Sequence, residues 1–135
     1  MYSHITVGSS DLDRSTNFYN GMLTHLGFVQ RPVTPDGGPR SSCWINPSSL
    51  LPRFYVYEPF NGELMSAGNG SMTAFIAQSE EAVRNAYSSA IESGGTSVGD
   101  PGLRSRYGEG YYGAYLLDPD GNKIHIVYRG DIEIS

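Results

Sequence analysis

The stretch HITVGSSDLDRSTNFYNGMLTHLGF, residues 4–28, decides how the rest of the chain is read. Ile5 and Val7 alternate with His4 and Thr6, the period of two that a half-buried strand requires. From Leu12 the period changes. Leu12, Tyr19, Met22, Leu23 and Leu26 recur near i, i+3 and i+4, with Phe18 beside them, which predicts a helix with one apolar stripe. Asp11 is placed to cap this helix, Ser10 with Asp13 makes an approximate capping box, and Gly27 stops it.

The same succession returns later in the chain. Residues 72–77 read as a strand, and residues 79–93 as a helix with Val83, Ala86, Tyr87, Ala90 and Ile91 on one stripe. Ser79 caps it, Glu80 and Glu81 favour the positive end of its dipole, and Gly94-Gly95 terminates it. An offset of 68 residues carries His4 to Met72, Asn17 to Asn85, Tyr19 to Tyr87 and Gly27 to Gly95. Residues 28–34, 42–46 and 53–58 follow the first helix as strands; 96–98, 111–117 and 123–129 follow the second. The order β-α-β-β-β therefore occurs twice. The expectation is an α+β fold of two tandem βαβββ modules in a single domain over 1–135. Module one spans about 1–60, a linker rich in Gly and Asn about 59–71, and module two about 71–131.

Between the last two strands stands DPDGN, residues 118–122. Pro119 suits the first central position of a type I turn and Gly121 supplies the positive φ after it, so this is a hairpin connection. The ligand spacing of an EF-hand calcium loop is absent.

With 39% hydrophobic and 17% charged residues, the 135-residue chain is globular and large enough to bury its own core. A net charge of −5 argues against a nucleic-acid surface, although Arg104 and Arg106 remain candidate local anion contacts. The single cysteine, Cys43, excludes an intramolecular disulfide and cysteine-rich zinc chemistry, and beside Trp44 it reads as a small core residue. The N-terminal MYSHITVGSSDLDRS has no secretory pattern, and no apolar run approaches the ~20 residues that span a bilayer. A cytoplasmic protein without membrane contact is expected.

The opening strand with its DLDRSTNFYNGMLTHLGF helix, together with the closing YYGAYLLDPDGNKIHIV, resembles the vicinal oxygen chelate superfamily of glyoxalases, bleomycin-resistance proteins and extradiol dioxygenases. The resemblance implies a curved mixed sheet with helices outside and a concave pocket inside, and small members resembling it are homodimers. It covers metal-dependent enzymes and metal-free drug-binding proteins alike, so only the site chooses between them. In the metal-dependent members, the first and last strands of each module supply the ligands.

Strand alternation tests this set. His4 and Thr6 face away from the helix side, as do His125 and Val127, so His4 and His125 are expected to point into one pocket. The other two positions depart from the family pattern. Met72 stands where a His is usual, and Tyr57 or Tyr55 where a carboxylate is usual; Glu58 has the opposite parity. Imidazole and carboxylate suit the superfamily's divalent metals, and a phenol or thioether suits them poorly. The favoured expectation is a small polar or aromatic molecule held without a metal or other cofactor. The alternative is a lyase, isomerase or dioxygenase whose His4, His125 and tyrosine hold one divalent Ni, Zn, Fe or Mn ion.

His4, His125 and Tyr57 are the candidate catalytic residues, since a His near its ordinary pKa moves a proton at neutral pH. Tyr55, Tyr57, Met72, Arg104, Tyr111 and Tyr112 are the candidate ligand-binding residues, and Tyr107 and Tyr115 belong to the same tyrosine-rich region. The chain holds ten tyrosines, and aromatic walls with polar tips are what small-molecule pockets need. Residues 101–107 are expected to form a loop over the pocket mouth. Whether the protein catalyses or only binds is left open by the sequence.

Overall fold

Two helix-facing sheets share one core. The computed structural model describes residues 1–133. Module one runs β1 (His4–Gly8), α1 (Leu12–Leu23), β2 (Val29–Arg31), β3 (Ser41–Asn46) and β4 (Ser49–Tyr57). Module two runs β5 (Thr73–Ala77), α2 (Glu80–Glu92), β6 (Thr96–Leu103), β7 (Tyr111–Leu117) and β8 (Lys123–Arg129). Each module builds its own four-stranded mixed sheet, in the order β1-β4-β3-β2 and β5-β8-β7-β6. In both, the first strand lies parallel to the last, and the two remaining strands continue antiparallel.

The caps at Asp11 and Ser79 are those expected, but the Ser10–Asp13 box is replaced: the Ser10 N–H donates to Asp120, its hydroxyl accepts from Met65, and Asp13 accepts from Arg40. The Asp11 side chain accepts the Arg14 N–H, and the Ser79 side chain accepts that of Ala82. The first helix is α-helical only to Leu23; Thr24–Leu26 tightens to a 3₁₀ turn before Gly27 takes φ 83°. The strand expected over 28–34 keeps only its centre, because Pro32 lacks the N–H that pairing needs. Two strands are longer than expected. β4 reaches back to Ser49, which pairs with Asn46 of β3, and its pairing with β1 begins only at Arg53, so Pro52 leaves no gap there. β6 runs on to Leu103 with register shifts around Gly99, and as an edge strand it tolerates Pro101.

The helix-facing residues form a continuous core. Phe18, Tyr19, Met22 and Leu23 of α1 pack with Val83, Ala86 and Ala90 of α2 and with Trp44, Phe54, Phe75, Leu116 and Ile126 from both sheets. Phe54 of module one meets Phe75 of module two edge-on, with ring centroids 5.0 Å apart. The 118–122 turn joins the modules a second time. Asp118 Oδ1 accepts the N–H groups of Asp120 and Asn122, and its Oδ2 accepts the Tyr19 hydroxyl at 2.6 Å. Asp120 accepts the Ser10 N–H, the Arg14 guanidinium and the Ser15 hydroxyl. A hairpin turn of module two thus completes the start of α1. Among the described residues, no helix is long and apolar enough to cross a membrane.

Candidate functional site

With the helices packed on one face of each sheet, the opposite faces carry the unspent chemistry. Strand alternation places Tyr111, Gly113 and Tyr115 of β7 and His125, Val127 and Arg129 of β8 on the open face of module two. His125 is in register with Tyr115, and their rings stack at 4.0 Å with 9° between planes. The imidazole extends over Gly113, where a Cβ would come within 2.5 Å of its Cε1. Only glycine leaves room for the ring there. At the far side the Tyr111 hydroxyl meets Nε2 at 2.7 Å, while Nδ1 donates to the Ala114 carbonyl at 2.9 Å.

This fixes the tautomer. A carbonyl can only accept, so Nδ1 carries the proton and Nε2 accepts from the Tyr111 O–H. Burial lowers the His125 pKa, and nearby Arg104 and Lys123 lower it further against the opposing bond to Ala114. The ring, 1% exposed, is neutral at pH 7. Chemically, the pair is a phenol already hydrogen-bonded to a base, able to offer its oxygen as an acceptor or to pass its proton to the imidazole.

Cations surround these rings. Arg104 and Lys123 lie over Tyr115 at 5.8 and 5.3 Å, Arg106 over Tyr107 at 4.9 Å and Arg129 over Tyr111 at 5.1 Å. The hydrogen bond from Arg106 lowers the Tyr107 pKa; burial raises that of Tyr115. Arg129 is neutralised by Asp131, which it grips through two bonds of 2.9 and 2.8 Å.

The open face of module one is different in character. His4 meets Tyr55 edge-on at 5.5 Å, Tyr55 lies 5.8 Å from Tyr57, and His4 Nδ1 is hydrogen-bonded to the Ser3 hydroxyl. A cavity of about 600 Å³ opens there, lined by His4, Thr6, Tyr57, Glu58, Phe60 and Met65 among others. The linker supplies its outer wall: Met65 N–H donates to the Ser10 hydroxyl, and its side chain lies over Gly8. Glu58, just past the end of β4, lines this cavity despite its opposite parity and also pairs with Arg40 at 3.9 Å. Cys43 is buried, in register with Tyr55.

Several expectations need correction. His4 and His125 both face away from the helices, but from different sheets, and the cavity at His4 includes no module-two residue. Tyr112 is not a pocket residue. Next to Tyr111 on a strand, it must face the other way, and it is buried against α2 with Arg84 donating to its hydroxyl. The expected lid is largely structured as strand to Leu103 and a 3₁₀ turn over Ser105–Tyr107. Met72 precedes β5, 45% exposed, and lines a cleft with Lys123 and the linker. Sequence reasoning gave no role to Gly113, Lys123 or Arg129. The signal for Gly113 was its place two residues before Tyr115 and two after Tyr111, a gap in an otherwise bulky strand face.

The divalent metal implied by the resemblance does not fit these residues. Both His125 nitrogens are engaged, and the remaining family positions carry Tyr55 or Tyr57 and Met72. Among the described residues, no three His, Cys, Asp or Glu side chains converge as metal ligands.

Comparison with known proteins bears on the whole chain. A glyoxalase/bleomycin resistance protein from Albidiferax ferrireducens T118 is 36% identical, with 96% of this chain and 98% of that one covered and a TM-score of 0.80. A glyoxalase-related enzyme from Fulvimarina pelagi shares the fold at 18% identity, with 100% and 96% covered and a TM-score of 0.72. The E144Q glyoxalase I mutant from Zea mays shares it at 20% identity and a TM-score of 0.67, with 96% of this chain aligned to 46% of that one. Comparison with curated protein sequences gives no match. Residues 2–126 match the sequence pattern of one family, which agrees with the doubled βαβββ order, and the chain belongs to the Glyoxalase/Bleomycin resistance protein/Dioxygenase superfamily.

Proposed function

We propose that this protein binds a small polar or aromatic molecule on the open faces of its sheets, without the divalent metal of the superfamily's metal-dependent enzymes. One observation carries the reading. The imidazole at the family's ligand position in the last strand has given Nδ1 to a backbone carbonyl and Nε2 to the Tyr111 hydroxyl. A metal there would have to displace the phenol and would find a phenol and a thioether where a carboxylate and a second His are usual. The tyrosines on both faces supply aromatic walls with hydroxyl tips, the composition of small-molecule sites. Two open faces and unpaired outer edges on β1 and β5 support a homodimer in which a second copy closes each site, in the cytoplasm.

The test is elemental analysis of protein purified without a metal-affinity tag, together with melting in added Ni, Zn, Fe(II) or Mn. The expected result is substoichiometric metal and an unchanged Tm. One metal per chain, lost on His4→Ala or His125→Ala, would overturn the reading.

A further inference from the structure

The charge of module two is sorted by face. Residues 72–133 hold nine carboxylates and five cations, a net of −4. All five cations lie over tyrosine rings, but Arg84 does so on the helix side, over Tyr112 and beside Glu80, whereas Arg104, Arg106, Lys123 and Arg129 gather over Tyr107, Tyr111 and Tyr115. Of these four, only Arg129 has a carboxylate partner among the described residues; Arg104 donates instead to the Asp100 carbonyl at 2.7 Å. Three positive charges therefore stand together, without carboxylate partners, on an acidic module. Like charges gathered this way repel one another, and an anion between them relieves that repulsion.

The rings beneath them form a row. Tyr107 lies 5.3 Å from Tyr111, Tyr111 lies 5.8 Å from His125, and His125 lies 4.0 Å from Tyr115. Tyr107 is 52% exposed at the outer end of this row. The Tyr111–His125 bond, the Ala114 anchor and the glycine gap at Gly113 hold the row in place before anything binds. The faces of His125 and Tyr115 are taken by each other, so the row meets solvent at its Tyr107 end and along tyrosine edges; beside guanidinium and ammonium groups, that surface matches one class of molecule. It pairs a flat ring, which stacks on tyrosine, with an acidic substituent, which accepts hydrogen bonds from arginine.

We infer that the open face of module two binds an aromatic carboxylate, its ring against the accessible tyrosines Tyr107 and Tyr111, which the buried His125 backs, and its carboxylate between Arg104, Arg106 and Lys123. This rests on the metal-free reading above and names the ligand class for one of the two faces.

The experiment is calorimetric titration of the full chain with 2-naphthoate, neutral 2-naphthamide and cyclohexanecarboxylate, first in EDTA and then with Zn²⁺ or Ni²⁺. In EDTA, naphthoate is expected to bind about tenfold tighter than either comparison compound, the effect of one charge-assisted contact or one stacked ring. Arg104→Gln and Lys123→Gln each weaken it about tenfold, and the charge-matched control Arg40→Gln changes it less than twofold. Lys123→Gln guards against misfolding, since Lys123 is exposed and makes no recorded hydrogen bond among the described residues. Amide-shift mapping places naphthoate at residues 104–115 and 123–129. Equal binding of naphthoate and naphthamide in EDTA overturns the inference alone, as does mapping to the cavity at His4. Binding that appears only with added metal and vanishes in His125→Ala overturns the metal-free reading itself.

Discussion

The Tyr19 hydroxyl donates to Asp118 Oδ2 at 2.6 Å, so the helix of module one is tied to the last turn of module two, 99 residues away. Burial of the ring, then the charge and hydrogen bond of Asp118, raise the Tyr19 pKa well above its ordinary value, and the phenol stays a neutral donor. Tyr19→Phe keeps the ring packing with Phe54 and Trp44 but strands one lobe of a carboxylate 4% exposed. A loss of about 1.5–3 kcal/mol is expected in urea unfolding, the range for a hydrogen bond to a charged group. A loss below about 0.5 kcal/mol would mean that Asn122, which also donates to this oxygen, carries the contact alone.

Asp120 gives a pH signature for the same turn. Burial alone would raise its pKa, but the Ser10 N–H, the serine hydroxyls and Arg14 together hold it below the ordinary carboxylate value. A depressed carboxylate stabilises the fold above the unfolded pKa of about 4, and that contribution is lost as pH falls through the folded value. Asp120→Asn is expected to cost about 1–2 kcal/mol at pH 7, with Arg14 half exposed and its share screened by solvent. The gap between variant and wild type should close below about pH 4. A gap independent of pH would show that shape, not charge, holds the turn.

His125 predicts the opposite end of the acid range. Its folded pKa lies below the unfolded value of about 6.5, because burial disfavours the imidazolium. The unfolded chain therefore binds the proton first. Stability is full above about pH 6.5 and declines as the pH falls toward the folded pKa. Nitrogen-detected NMR should find the Nδ1–H tautomer at pH 7, and His125→Gln should flatten the stability profile between about pH 7 and 5. An unchanged slope in that variant would show that His125 does not carry it.

Gly113→Ala tests the gap under the imidazole. The added methyl would lie 2.5 Å from His125 Cε1 and 2.9 Å from the Ile126 carbonyl, so the ring must lift. A cost of about 1–3 kcal/mol is expected from overpacking, with the Tyr111–His125 hydrogen bond broken. Retention of the wild-type His125 shifts would show that the backbone yields instead.

Much of this was legible from pattern. The helix caps at Asp11 and Ser79, the doubled module order and the outward parity of His4 and His125 each follow from local periodicity and turn chemistry. The shared pocket did not. Parity says which side of its own sheet a residue takes, but the relation of one sheet to another depends on long-range packing such as Phe54 against Phe75. Tyr112 was misplaced because a run of tyrosines was read as a cluster, where alternation alone sends Tyr111 and Tyr112 to opposite faces. The tautomer of His125 was out of reach for another reason. Tyr111 is not its register partner, and the contact exists only because the ring spans an intervening glycine on the neighbouring strand.

The turn at 118–122 also bears on how the chain is made. α1 ends at Leu23, yet the Ser10 N–H, the Arg14 guanidinium and the Ser15 and Tyr19 hydroxyls each have a partner at positions 118–120. At typical synthesis rates of about 5–20 residues per second, the gap is about 5–20 seconds. Throughout that interval these α1 side chains lack their module-two partners, and β5, which brings Phe75 to Phe54, has no strand to pair with until β8 is made. The nascent chain is therefore most exposed to misassociation just before its final hairpin emerges, and a truncation upstream of residue 118 would leave it in that state permanently.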